Sequence, residues 1–292
     1  MSRVLFPMMI LALGTGCAAV GTGTPKSVED YLSKQFVETE LDEETSHTYE
    51  VTSNWYNRDI AGNTANSVRM TAEYTRSTRD GWTHCRWNNV RLAAAPGYTD
   101  TFPEGAPLAY MEGFSYTLSD EIMQETFFSN FPDDVKDLLK TLIWDAPWIE
   151  VAYMSVDRLQ FDEAYRDGQK PILQPTLRYY EFESKELQMG DFGMLHMRDL
   201  GLTWTGISKT NSEMCALVQY QSFSNPVESK TDAVSVRGRS CYWGSFRISL
   251  VDKQVESMTL NEDVVMELSF PGNARTRLMN MQREVLFEKR KE

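Results

Sequence analysis

Histidine is scarce in this chain, and basic charge is in deficit. Only His47, His84 and His196 occur in 292 residues, and 29 Lys plus Arg stand against 42 Asp plus Glu, a formal net charge of −13. A nucleic-acid surface needs a basic patch, and none stands out, so no nucleic-acid partner is expected. Three imidazoles leave few bases for a Ser-His-Asp arrangement. The chain also lacks GxSxG, SxxK, HExxH, a P-loop, GxGxxG and an EF-hand loop. There is no CxxC, and His84-Cys85 is an adjacent pair, so no metal site and no cofactor are expected. Neighbours on a strand point to opposite faces, so His84 and Cys85 are poorly placed as a catalytic dyad. Long apolar runs are missing too: the run Val4 to Leu13 is too short for a permanent span, which needs about 20 residues.

What is present marks a folded protein. Aromatics make up 12% of the chain and hydrophobic residues 41%, too many for disorder. A mean hydropathy of −0.43 is too polar for a multi-span membrane protein.

The amino terminus carries the most information. Arg3 is followed by the apolar run, then Gly14, Thr15, Gly16 and Cys17. This is the plan of an export signal over residues 1–16. Ordinary secretion with cleavage near Ala19 is the alternative. The small residues before Cys17 resemble the lipobox of bacterial lipoproteins, with Gly14 where that family prefers Leu. The resemblance implies that Cys17 is lipidated and becomes the mature amino terminus, anchoring the chain to a membrane. Ala18 after the cysteine implies the outer membrane, facing the periplasm. Residues 17–45 read as an anchor, a flexible tether with Gly21, Gly23 and Pro25, and a short amphipathic helix on Val28, Tyr31, Leu32 and Phe36.

Residues 46–292 read as one β-rich α+β domain. Strand patterns are expected at 49–56, 67–75 and 82–92, with an Asp80-Gly81 hairpin turn and a loop over 95–107. A helical segment is expected over about 119–166. It starts at Ser119, carries a second start at Pro132, and has an apolar face of Val135, Leu138, Leu139, Leu142 and Ile143. Pro147 should interrupt it, and periodicity does not decide 149–166. Strands are expected again at 177–188, 192–197, 201–208, 213–223, 233–250, 254–269 and 282–289, in antiparallel meanders. This element order is similar to the curved half-barrel of LolA/LolB-type envelope lipoproteins, which implies a sheet interrupted by helices and a groove for an apolar ligand.

Three groups of candidate residues follow. Trp144, Asp145, Trp148 and Glu150 combine ring faces with carboxylates, a composition suited to glycans, although the first expectation is that the tryptophans close the helix onto the core. Phe192, Met194, Met197 and Met214 are candidates for an adaptable apolar groove. Cys215 and Cys241, on two strand-like segments, are a candidate disulfide in an oxidising compartment. The function expected is non-enzymatic binding of an apolar ligand or an envelope protein partner at the membrane surface. The alternatives are an exported glycan hydrolase using carboxylates and a structural assembly subunit.

Overall fold

A computed structural model describes residues 45–59, 61–159, 176–188, 194–210, 213–230, 232, 234–250, 252–272 and 276–291. The export signal, Cys17 and the tether to residue 44 lie outside these residues, as does Phe192.

The chain forms an open antiparallel sheet of eleven strands. The first meander contains β1 (Ser46–Arg58), β2 (Thr64–Arg79) and β3 (Trp82–Pro96), with short β4 (Ala106–Pro107) and β5 (Phe114–Thr117) both on the far edge of β3. The second contains β6 (Thr176–Gln188), β7 (Met194–Thr210), β8 (Glu213–Lys230), β9 (Ser235–Ser249), β10 (Val255–Ser269) and β11 (Arg277–Lys289). Between the meanders lie two 3₁₀ turns (Asp120–Met123 and Glu125–Phe128), then α1 (Lys136–Asp145) and α2 (Trp148–Leu159). The meanders join where β1 pairs with β11, so the first and last strands are neighbours mid-sheet.

Local chemistry explains most boundaries. Asp80 and Gly81 have φ of 53° and 75°, the two positive values a two-residue primed hairpin turn requires. The β1–β2 turn is closed by the Asp59 carboxylate, which accepts from the backbone N–H groups of Ala61 and Asn63 at 2.9 Å each. Ser119 caps as expected, its Oγ accepting from Glu121 N–H, but the segment it opens is 3₁₀. Gln124 adopts an extended conformation and cuts that segment after four residues. Pro147 sits in the break between α1 and α2, and the undecided 149–159 stretch is helix.

Three boundaries differ from expectation. The strand β3 continues through Pro96, into the expected loop. The expected segments at 192–197, as far as its described residues 194–197, and 201–208 belong to a single strand, β7. The Asn225-Pro226 break does not end β8, because a bulge between Ser222 and Asn225 absorbs the irregularity. Pro226 is register partner to Arg239 on β9, while the β7 ladder skips it, so its missing N–H interrupts no bond there.

Among the described side chains the strands alternate in burial, and the buried set faces the helices. Inner residues include Tyr49, Met70, Tyr74, Trp87, Tyr220, Phe246, Leu260 and Phe287. On α1, Leu139, Leu142 and Ile143 are fully buried, with Val135 and Leu138 packed at the margin. These residues form one contiguous cluster from Tyr49 to Phe287. The rings pack edge-on, as at Tyr74–Phe287 (5.9 Å, 89°), or stacked, as at Tyr220–Phe246 (4.6 Å, 16°).

Candidate functional site

The C-terminal end of α1 inserts a charge into the apolar layer. Asp145 and Arg283 are each 2% exposed at the side chain and meet through both guanidinium NH groups, at 2.8–3.1 Å. Arg283 Nε donates to Glu262, which is equally buried and also accepts from Ser240 Oγ at 2.6 Å. The guanidinium lies over the Trp55 ring, 4.9 Å from its centre. One cation therefore serves two buried carboxylates. Burial raises the pKa of Asp145 to about 6 against the pull of Arg283, and Glu262 adds to the rise.

The neighbouring helix repeats the device at its own start. Glu150 accepts from Arg76 on β2 through Nε and Nη2, the latter at 2.9 Å. Arg76 in turn covers the Tyr153 ring at 4.4 Å. Trp148 stacks on Tyr220 at 4.7 Å and 23° and meets Tyr242 at 5.9 Å. Trp144 donates Nε1–H to the Ile122 carbonyl at 2.7 Å and packs edge-on against Phe128.

The four candidate glycan residues thus sit close together in space but offer no open platform. Trp148 and Asp145 are buried, and Trp144 and Glu150 are engaged with the protein itself. Asp145, Trp148 and Glu150 tie the helices to β11, β8 and β2, while Trp144 ties α1 to the 3₁₀ turns. Met214 is also fully buried in the core. Met194 and Met197 lie on β7 at register positions opposite Gln188 and Lys185, and their side chains are outside the described residues.

The expected disulfide is corrected by register. Cys215 is opposite Ser249, whereas Cys241 lies eight residues back along β9, about 26 Å away at 3.3 Å per residue. A disulfide needs Cα atoms within about 7 Å. Both residues, and Cys85, are thiols. Cys85 faces the core, where its sulfur meets Tyr74 Oη at 3.2 Å and burial pushes its pKa up to about 11. His84 points the other way, toward Thr117.

A groove of about 700 Å³ opens at the end of the sheet where β1 begins and β11 ends. His47, Glu213, Asp252, Glu256, Lys289 and Arg290 line it. Lys289 bonds Glu256 at 2.7 Å and lies 3.6 Å from Asp252; Arg290 bonds Glu73 at 2.9 Å. Burial and nearby Lys289 lower the His47 pKa, so its ring is neutral at neutral pH. Burial raises the Glu213 pKa, helped by Asp252 and Glu256. The groove is a mixed-charge ion network. Among the described residues no group of three His, Cys, Asp or Glu could hold a metal ion.

The outer face of the sheet was not singled out from sequence. It carries Phe223 on β8, Trp243 on β9, Val265 on β10 and Leu278 on β11, each 41–47% exposed. Trp243 faces Gln221 on one side and Asn261 on the other, on a strand whose outward set also holds Arg237, Arg239 and Arg247. The signal was present in β9, where Arg237, Arg239, Trp243 and Arg247 share one parity and Val236, Tyr242, Phe246 and Ile248 the other.

No known family model matches this chain, and no curated protein is significantly similar to it.

Proposed function

We propose that the chain is a lipid-anchored protein of the bacterial cell envelope that works without catalysis and holds a protein partner on the outer face of its sheet. The observation that carries this reading is that Phe223, Trp243, Val265 and Leu278 are exposed on one face of four adjacent strands, in two diagonal pairs, Phe223 with Trp243 and Val265 with Leu278. Exposed apolar side chains set among charged and amide ones on a sheet face have the composition of a protein interface. The opposite face is filled by its own helices, which leaves the outer face as the accessible one.

The finer architecture we favour is a half-barrel curved around the helices. Trp148 reaches Tyr220 on β8, and two residues later Glu150 reaches Arg76 on β2. Those strands are five spacings apart, about 24 Å on a flat sheet, and bending brings them within reach of one helical turn. In this reading Cys17 holds the protein at the outer membrane on its periplasmic side. The body begins at the groove end of the sheet, so that end faces the anchor.

Two experiments test the proposal. Cys17→Ser should move the protein from the membrane fraction to the soluble fraction of lysed cells, since several acyl chains at about 0.8 kcal/mol per buried methylene provide the hold; unchanged fractionation removes the anchor. A photo-crosslinking amino acid at Trp243 should give an adduct of one defined mass in cells, while the same group at outward Glu50 on β1 should not. Equal labelling at both positions, or none at Trp243, sinks the partner.

A further inference from the structure

We infer that the partner lays an extended acidic segment along β9, with Arg239 and Arg247 receiving two carboxylates and Trp243 the apolar side chain between them. The inference rests on the partner reading above and adds the chemistry of what is bound. The three side chains share one face of β9, and the ladder between β9 and β10 runs without a shift from Arg239 to Arg247. All three are exposed. Each arginine lies four residues from Trp243, about 13 Å along the strand at about 3.3 Å per residue. Phe223 on β8 adds its ring on the diagonal beside Trp243.

Register separates these two cations from the third on the same strand. Arg237 stands between Glu228 on β8 and Glu267 on β10, and it bonds Glu267 at 3.2 Å. Arg239 stands between Pro226 and Val265, and Arg247 between Leu217 and Ser257. No acid is opposite either one. In a chain with a net charge of −13, these two exposed guanidiniums are left without an ion-pair partner among the described residues. Trp243 between them is flanked by Gln221 and Asn261, whose amides add hydrogen-bonding groups but no charge. The charge that complements this strip is negative, and a partner supplies it. An anionic lipid surface fits less well, because it meets the whole face, and Glu228, Asp263, Glu267 and Glu284 stand on that face too. A segment lying along β9 brings its charge to the two arginines alone. In an extended chain, residues four apart point the same way and are also about 13 Å apart. An acid, an apolar residue and a second acid at that spacing therefore match the strip.

The test uses the full chain and a defined probe, acetyl-Asp-Ser-Thr-Ser-Leu-Ser-Thr-Ser-Asp-amide, followed by amide and indole chemical shifts on titration. Shifts should concentrate at Arg239, Trp243 and Arg247. Exchanging both Asp for Asn in the probe should weaken binding by about fivefold or more, the loss of two exposed ion pairs. Arg239→Gln and Arg247→Gln should each weaken it by about two- to fivefold without changing the unfolding midpoint. Arg237→Gln should weaken it by less than about twofold, because Glu228 and Glu267 already hold that charge. The double variant Arg239→Glu, Arg247→Glu should instead prefer a probe with Lys in place of both Asp. No binding, equal binding of the Asp and Asn probes, or an Arg237→Gln effect as large as that of Arg239→Gln overturns the inference. Shifts of these residues with phosphatidylglycerol vesicles but not with the peptide make the strip a lipid contact and overturn it too. If Trp243 crosslinks a partner while the Asp and Asn probes bind alike, the acidic segment is wrong and the partner reading stands. If the probe binds as described and Trp243 crosslinks nothing in cells, the acidic-segment site stands and the partner reading falls.

Discussion

Arg283→Met is expected to destabilise the protein by about 3–5 kcal/mol, because it leaves Asp145 and Glu262 buried without their shared cation. For a chain of this size that lowers the unfolding midpoint by roughly 10 °C. The triple change Arg283→Met, Asp145→Leu, Glu262→Met should restore most of the loss, since apolar groups of similar volume replace a buried ionic cluster without the desolvation cost. A triple variant no more stable than the single one would contradict this account.

The same cluster predicts a pH dependence of definite sign. Asp145 has a folded pKa of about 6 against an ordinary 3.8. Between those values the folded chain keeps a proton that the unfolded chain has released. The group's contribution to stability therefore falls as pH rises from about 4 to about 6 and is constant above, a change of about 2–3 kcal/mol. Asp145→Asn should flatten that part of the profile. Urea unfolding of both proteins at pH 4.5 and 7 checks it, and parallel profiles would count against it.

Gly244→Val is expected to cost about 3 kcal/mol or more and to loosen the helices. A Cβ at Gly244 would lie 2.0 Å from the Thr259 carbonyl oxygen on β10 and 2.6 Å from the Tyr220 ring. Neither neighbour can yield cheaply, since one is backbone and the other is locked. Tyr220 donates its hydroxyl to that same Thr259 carbonyl at 2.8 Å and is stacked between Trp148 and Phe246. Displacing the ring removes the seat of α2, and overpacking of this kind costs about 1–3 kcal/mol even where some relaxation is possible. Near-ultraviolet circular dichroism should lose intensity at the tryptophan bands in step with the fall in urea midpoint. A Gly244→Val protein with native midpoint and spectrum would mean that this close approach does not matter.

Much of the fold could be read along the chain because its causes are local. The Asp80-Gly81 turn follows from the two positive φ angles that only such residues adopt easily. The inner face of α1 follows from 3.6-residue periodicity, and the break before α2 from Pro147. Expectation and structure part where a local signal meets a tertiary one. Asn225-Pro226 looks like a stop, yet flanking β7 and β9 hold β8 together across a bulge. Ser119 starts a helical segment, but the extended Gln124 divides it into two four-residue 3₁₀ turns, the second packing Phe127 and Phe128 against Phe114 and Phe131. Trp144, Asp145, Trp148 and Glu150 are neighbours along the chain, yet their partners lie on a 3₁₀ turn, on β11, on β8 and on β2.

The antiparallel strands, the alternation of inward and outward residues and the turns are legible along the chain, because each depends on sterics and periodicity within a few residues. The pairing of β1 with β11, the contact of Arg283 with Asp145 across 138 residues, and the eight-residue offset of Cys241 from the partner of Cys215 belong to the folded chain. A period of two tells which face a side chain takes but not which strand stands next to it. That choice belongs to the joint burial of distant apolar faces and the neutralisation of charges between them, and no short window of residues contains it.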